Sequence, residues 1–236
     1  MFRRTVAFAA LPSPAGVGQT TSAAGGNHLY LFSRQAHISS ATGAEWAAEI
    51  AVKAGEASGN AVQLWAPTLS PGFGTANWTS WWPDLATLQA GFAKLQDDES
   101  YNALAAQGRE HIDGGVDDAL FQPIHGAPDP DSGANFVLSA SAVCGGGSLA
   151  RSMTAGIEIA QKADAITGLS TMFVRAMTGP NNSVGWLTGY EDLAAMEAAN
   201  DKMAADADWL TFLDTTNGCF VEDSAVSQTT IWQKFL

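Results

Sequence analysis

The sequence predicts an α+β protein made of two tandem ferredoxin-like units, each with the element order β-α-β-β-α-β. The first observation behind this prediction is an internal repeat, because an ungapped shift of 108 positions aligns Trp78 with Trp186 and Leu85 with Leu193 (193 − 85 = 108). A period near half the chain length indicates two copies of one unit rather than a solenoid of many repeats. The same shift also aligns Lys94 with Lys202, Asp98 with Asp206 and Tyr101 with Trp209.

The second observation is the order of hydrophobic patterns, which is the same in both halves. Alternating apolar and polar residues predict strands, and apolar residues spaced three and four apart predict helices. In the first half, strands are predicted at 28–35, 61–66, 77–82 and 119–124, with helices at 42–57 and from 83 to Gly108. In the second half, strands are predicted at 135–143, 170–177, 184–190 and 225–235, with helices at 148–165 and 191–213.

Local signals set the expected ends and faces of these elements. Thr42 is predicted to cap the first helix, with Glu45 completing a capping box. Pro123 indicates an edge strand or the end of a strand. The helix that starts at Pro83 has an expected buried stripe of Leu85, Leu88, Phe92 and Leu95. The acidic helix residues Asp97, Asp98, Glu99, Asp201, Asp206 and Asp208 are expected to form solvated faces.

Composition shifts along the chain predict its domain organisation. Residues 1–26 are rich in Gly, Ala, Ser, Thr and Pro and are interpreted as a flexible N-terminal arm. The first ferredoxin-like repeat is predicted at 27–125 and the second at 135–236. Between them, residues 126–134 contain Pro128 and Pro130 and are predicted to be a linker.

The charge of the chain limits its expected partners and location. Lys and Arg total 11 and Asp and Glu total 24, which gives a formal charge of 11 − 24 = −13. An acidic surface repels nucleic-acid phosphates and anionic membranes, so neither is expected as a partner. No run approaches the ~20 apolar residues of a membrane helix. We therefore predict a cytoplasmic protein, either a monomer or a homodimer.

The aromatic strand and the helix after it resemble a known superfamily. The segment from Trp78 through Trp82-Pro83-Asp84-Leu85 and Phe92 to Ser100-Tyr101 is similar to the antibiotic-biosynthesis monooxygenases. These belong to the dimeric α+β barrel superfamily, together with the NIPSNAP and EthD families. The resemblance implies that the two sheets of this chain cover each other as an intrachain barrel, where relatives use two subunits.

The aromatic strand is also the first candidate site. Trp78 and Trp82 share one face of the strand, and Trp65 lies on the neighbouring strand. Aromatic walls with a few polar groups suit a flat apolar or aromatic ligand. The monooxygenase resemblance implies that Asn77 and Trp78 flank substrate and oxygen, with Tyr101 near the ligand. The alternative is that these aromatic residues are ordinary core packing, since aromatics favour strands.

The repeat suggests a second candidate site. The end of each first strand is expected near the start of each fourth strand, which places His37 near His111 and Cys144 near Cys219. Two histidines suit an acid–base pair or part of a metal site, although catalytic zinc usually has three protein ligands. Two cysteines suit either a disulfide or two thiols. The alternative is that the four residues are unrelated loop ends.

Two further groups of residues could hold a ligand. Arg34 and Arg175 each lie within a predicted strand, where an arginine could bind an anionic or enolate group inside the barrel or pair with a carboxylate. Some members of the superfamily bind haem through a histidine at the position of His111, so the resemblance also implies a haem alternative. The repeat has Cys219 there instead, and we expect no cofactor.

These observations favour a small-molecule-binding protein and leave its activity open. One hypothesis is a cofactor-independent monooxygenase-like enzyme that acts on an aromatic or polyketide-like substrate. Its catalytic residues would be Asn77, Trp78, His37 and His111. The other hypothesis is a non-catalytic binding or assembly protein on the same scaffold, because one fold hosts many functions.

Overall fold

The structure is a computed structural model that describes residues 29–72, 74–129, 133–145, 149–221 and 227–236. The predicted N-terminal arm and part of the predicted linker lie outside these residues. The first half contains β1 (Tyr30–Ile38), α1 (Ala41–Ser58), β2 (Gln63–Thr68), β3 (Thr75–Trp82), α2 (Leu85–Asp97), α3 (Glu99–Ala106), α4 (Gly108–His111) and β4 (Ile112–His125). The second half contains β5 (Phe136–Val143), α5 (Leu149–Thr167), β6 (Thr171–Ala176), β7 (Ser183–Tyr190), α6 (Leu193–Ala205), α7 (Ala207–Thr215) and β8 (Gln228–Lys234).

The strands form one closed barrel in the order β1-β3-β2-β8-β5-β7-β6-β4, with antiparallel pairs throughout. Each half supplies a ferredoxin-like sheet, and the two sheets join where β2 meets β8 and where β4 meets β6. Matching hydrogen bonds close the two seams: the Leu120 amide donates to Thr178 Oγ1 and the Ile231 amide to Ser70 Oγ. The predicted tandem barrel within one polypeptide is confirmed.

The two faces of the barrel wall have different surroundings. Side chains on one face pack under the helices, as Trp78 does in the core cluster with Trp46, Ala47 and Ile50 of α1. Alternate residues of the same strand point the other way, into the barrel. The register therefore assigns Trp78 and Trp82 to the helix-covered face and Asn77 to the barrel interior.

The contacts that fix the helices are repeated in both halves. Asp84 and Asp192 cap α2 and α6, and Asp98 and Asp206 cap α3 and α7, each through a side-chain oxygen that accepts a backbone N–H. Lys94 Nζ donates to the Ser58 carbonyl near the end of α1, and Lys202 Nζ donates to the Thr167 carbonyl at the end of α5. The aligned aspartates and lysines of the sequence repeat therefore make equivalent helix-end contacts in the two halves, and Asp98 and Asp206 cap helices in addition to their expected place on the acidic helix faces.

Three local predictions differ from the structure. The cap of α1 is Ser40, whose side chain accepts from the Gly43 amide, because the helix begins one residue before Thr42. Leu85 is 44% exposed, so the buried stripe of α2 does not include it. The second helix of each half is divided in two, because Asp98 and Asp206 each end one helix and cap the next.

The fourth strand begins seven residues earlier than expected, at Ile112 instead of position 119 (119 − 112 = 7). Gly114 and Gly115 form a bulge in β4 opposite the step from Ala36 to His37. Gly114 has a φ of +91°, which glycine adopts at little cost. The bulge lets β4 continue along β1 as far as Ile112, and on its other side Asp118 lies directly opposite Arg34 in uninterrupted register.

The aspartate caps predict acid sensitivity. Hydrogen bonds from Ser100 and the Tyr101 amide lower the pKa of Asp98 below its ordinary value of 3.8. A lowered folded-state pKa stabilises the fold above the unfolded pKa, and this stabilisation is lost as pH falls through the folded pKa. We expect the urea concentration at the midpoint of unfolding to decrease as the pH is lowered below about 4. This decrease should be less steep in Asp98→Asn, which has no carboxylate to protonate at this position. Asp97→Asn, at an exposed neighbour, is the control, and an equal slope in both variants would contradict the assignment.

No helix within the described ranges combines the length and apolar character needed to cross a membrane.

Candidate functional site

The predicted site residues of the aromatic strand fall on opposite faces of the sheet. Asn77 Oδ1 accepts from Ser33 Oγ at 2.8 Å, in the barrel interior. Trp65 also points inward, where its indole Nε1 donates to Thr79 Oγ1 at 2.9 Å. Trp78 lies under α1 on the other face, so a single small ligand cannot lie between Asn77 and Trp78.

Trp78 makes a contact that the second half reproduces. Its Nε1 donates to the Ala47 carbonyl at 2.8 Å, and Nε1 of Trp186 donates to the Gly156 carbonyl at 2.9 Å. Both bonds join the third strand of a repeat to its first helix. Trp82 is similarly enclosed: its Nε1 donates to Ser80 Oγ, and a Cβ on Gly91 would approach its ring to 2.2 Å. The arrangement of Trp78 and Trp82 is that of core residues.

The two predicted histidines have different surroundings. The His37 ring is exposed and lies against Gly74, where a Cβ would meet Cε1 at 2.7 Å. The His111 ring stacks on Trp46 with centroids 5.5 Å apart, and its Nδ1 is buried without a hydrogen-bond partner. Within the described ranges, no group of three or more His, Cys, Asp or Glu side chains could hold a metal ion.

The surroundings of His111 also do not fit an axial haem ligand. A histidine that ligates a metal through one nitrogen almost always donates its other N–H to a carboxylate, carbonyl or water. Nδ1 of His111 lacks such a partner, and being enclosed it cannot itself reach an iron.

The two cysteines are free, buried thiols. Burial raises the pKa of the Cys144 thiol, which favours its neutral form. The thiol form is the less nucleophilic one, so Cys144 has the character of a core residue.

The described residues contain an apolar slot between α2 and the sheet of the first half. Phe32, Leu88, Phe92 and Leu120 form its walls, and Phe32 and Phe92 meet edge to face with ring centroids 5.1 Å apart. The slot has a volume of about 180 Å³. Thr178, from the loop after β6, lies at its border, so both halves contribute to it.

A charged pair lies at the mouth of this slot. Arg34 Nε donates to Asp118 Oδ1 and Nη2 to Oδ2, both at 2.7 Å, in a bidentate arrangement. The guanidinium also lies 5.6 Å above the Phe32 ring centroid. Hydrogen bonding to Asp118 raises the pKa of Arg34, with a smaller contribution from Tyr101. Since a guanidinium has five N–H donors, Arg34 keeps donors for a ligand oxygen while it orients Asp118.

The second half lacks the charged pair and the Phe92 side of the slot. Arg34 pairs with Trp78 on one side and with Asp118 on the other. In the second half, the residue between Trp186 and Thr229 is Ala140. Because Trp186 is the repeat of Trp78, Ala140 takes the place of Arg34 and Thr229 that of Asp118. The offset of 108 matches Phe92 with Asn200 (200 − 92 = 108). The caps and the tryptophan bonds are symmetric, whereas the charged pair and the aromatic wall occur in one half.

Arg175, the other predicted arginine, is already occupied. Its Nε and Nη2 both donate to Gln122 Oε1, at 3.0 and 2.7 Å. Strand register places Arg34 and Arg175 on the helix side of the barrel wall rather than inside the barrel.

Of the predicted residues, Arg34, Tyr101 and Trp82 lie in the neighbourhood of the slot. Asp118 was missed because the strand was expected to start at Ala119, although the difference between Phe92 and Asn200 already indicated that the halves diverge.

No protein-family model matches the sequence, and no curated protein matches it. Solved structures do match along most of the chain. A candidate monooxygenase from Fusobacterium nucleatum has a TM-score of 0.65 and 10% identity over 89% of this chain and 94% of that chain. A candidate monooxygenase from Lactobacillus acidophilus has a TM-score of 0.60 and 9% identity over 89% and 95%. An anthrone oxidase-like protein has a TM-score of 0.62 and 8% identity over 88% and 91%.

These similarities establish the fold. The chain has the dimeric α+β barrel fold, formed here by two repeats of one polypeptide.

Proposed function

We propose that this protein is a cofactor-independent, monooxygenase-like enzyme that binds a phenolic or enolisable aromatic ring in the slot of its first half. The observation that carries the proposal is the bidentate Arg34–Asp118 pair at the mouth of an apolar slot, which the second half lacks. Apolar walls with a few convergent polar groups are typical of small-molecule sites.

The size of the slot supports a single ring as the bound group. Its volume is about 180 Å³, and an engineered apolar cavity of about 150 Å³ binds benzene. The rings of Phe32 and Phe92 lie nearly perpendicular to each other, so a bound ring could stack on one of them and contact the edge of the other. The hydroxyl or carbonyl oxygen of the ring would point to the mouth, where Arg34 and Asp118 can both reach it.

The charged pair suits deprotonation of the bound group. The Asp118 carboxylate would take the proton of a phenol or of an activated CH₂, and Arg34 would stabilise the phenolate or enolate that forms. Such an anion is electron-rich enough to reduce O₂. With one O₂, an activated CH₂ would become a carbonyl and a phenol with a free ring C–H would become a quinone, each with release of one water, so the substrate would supply all four electrons. The protein would contribute orientation, an apolar surface for the ring and charge stabilisation.

Oxygen consumption tests this proposal. We expect substrate-dependent O₂ uptake with phenols or with single rings that carry an activated CH₂, and a loss of about 10²- to 10⁴-fold in kcat for Asp118→Asn, with ring binding largely retained. Thr229→Asn, at the equivalent position of the second half, is the control and should leave kcat unchanged. Equal turnover in Asp118→Asn and the unmodified protein would contradict the proposal.

A binding role without chemistry is the second candidate, and one observation favours it. His37 and His111, the two predicted histidine bases, are not among the residues that line the slot, so Asp118 is the one titratable group there. Ring binding without O₂ uptake, lost in Arg34→Gln, would assign the protein to this class.

A further inference from the structure

The slot lies beside a wider, open groove along the exposed face of α2. Leu85, Leu88, Gln89, Phe92, Ala93 and Gln96 line this groove, which has a volume of about 440 Å³. Leu88 and Phe92 line both the groove and the slot, so the two spaces share a wall. A molecule that places a ring in the slot can therefore extend along α2 without leaving the protein surface.

The groove is uncharged in a chain that is otherwise strongly acidic. Its lining has no charged side chain, although the protein carries a formal charge of −13. In the second half the corresponding positions of Gln89 and Ala93 are Glu197 and Asp201 (89 + 108 = 197 and 93 + 108 = 201). The neutral groove thus occurs in the same half as the slot, and charge is present on the equivalent helix where the slot chemistry is missing.

The volumes favour a ligand that uses both spaces. Ligand sites typically measure about 300–1,000 Å³, and the slot alone is smaller than that range, at about 180 Å³. The groove alone lies within the range, but it lacks the charged pair. A ring in the slot with an apolar chain in the groove would fill both.

We propose that the substrate is amphiphilic: a hydroxylated or enolisable ring that carries an apolar alkyl or acyl chain, with the chain lying along α2 between Gln89 and Gln96. This inference rests on the proposed function, because it takes the ring position from the Arg34–Asp118 pair. The neutral groove excludes a charged tail, since the α2 face offers no counter-ion along the described lining.

A homologous ligand series tests the chain-binding role. The dissociation constants of 4-alkylphenols from methyl to heptyl would be measured by isothermal titration calorimetry. Burial of each methylene predicts binding tighter by about twofold to fourfold per added carbon. Ala93→Asp, which introduces the residue of the second half, is expected to flatten this slope while 4-methylphenol still binds. Ala90→Asp adds the same charge to the same helix away from the groove, and the slope should persist.

Three outcomes would overturn the inference or its premise. A flat series in the unmodified protein, with 4-methylphenol binding lost in Arg34→Gln, would reject the groove and leave the slot in place. A series unaffected by Arg34→Gln would reject the ring site itself, and with it the proposed function. A slope that disappears as the protein concentration rises would mean that a second copy of the chain covers the groove.

Discussion

Replacing Arg34 by glutamine is expected to weaken the binding of a phenolic ring by about 10- to 100-fold, because a hydrogen bond to a charged group is worth about 1.5–3 kcal/mol. The same substitution should change the free energy of unfolding by no more than about 1 kcal/mol, which is typical of exposed ion pairs. The side chains of Arg34 and Asp118 are 40% and 46% exposed, so solvent screens their attraction in the free protein. Binding and stability therefore respond differently to this substitution.

Arg175→Gln is the matched control for this experiment. Arg175 is also a strand arginine on the helix side of the wall, but both of its observed hydrogen bonds go to Gln122. We expect the affinity for phenols, measured by titration calorimetry, to be unchanged in Arg175→Gln. If both variants lose affinity equally, the effect is a general loss of positive charge, and the slot is not the binding site.

The fold could be predicted from the sequence because the repeated residues fix the helices. Asp98 and Asp206 cap helices, and Lys94 and Lys202 bind the end carbonyls of α1 and α5. The geometry of these contacts is the same in both halves, so the residues that make them keep the same spacing along the chain. This is why each pair is separated by 108 positions. Contacts of this kind are visible in a sequence as aligned residues, which is why the repeat indicates two copies of one unit.

The site could not be predicted to the same extent, because it depends on strand register. Asp118 lies opposite Arg34 because β4 pairs with β1 in uninterrupted register from Val116 to Phe121. Periodicity does not reveal this pairing, because residues 112–118 are mostly Asp and Gly and lack the apolar alternation that predicts a strand. The predicted roles of His37, His111 and Asn77 stay predictions, and the structure places these residues outside the slot.

The comparison of the two halves gives a physical basis for separating structural from functional residues. A contact required by the packing of helix on sheet is needed in each copy, as with Trp78 and Trp186. A ligand site is needed only once, so the second copy is free to lose it. Arg34 and Phe92 have the pattern expected of ligand-site residues, because they occur in the first half only. Ala140 and Asn200 occupy their places in the second half.

Trp78→Ala is expected to cost about 3–5 kcal/mol of unfolding free energy, as large-to-small core substitutions do for aromatic residues. Trp78 is 7% exposed, packs edge to face on Trp46 with ring centroids 5.9 Å apart, and donates to the Ala47 carbonyl. Single domains are stable by only about 5–15 kcal/mol in total. The variant should therefore unfold at a much lower urea concentration, as measured by circular dichroism.

Trp78→Phe separates the structural role from the ligand-binding role that the resemblance implies. It keeps most of the aromatic packing but loses the indole N–H, so we expect a cost of about 1 kcal/mol and an unchanged affinity for phenols. Trp186→Phe removes the same bond in the second half and should behave alike. If Trp78→Phe instead weakened phenol binding while Trp186→Phe did not, Trp78 would contact the ligand, and the symmetry of the two tryptophan bonds would not indicate a purely structural role.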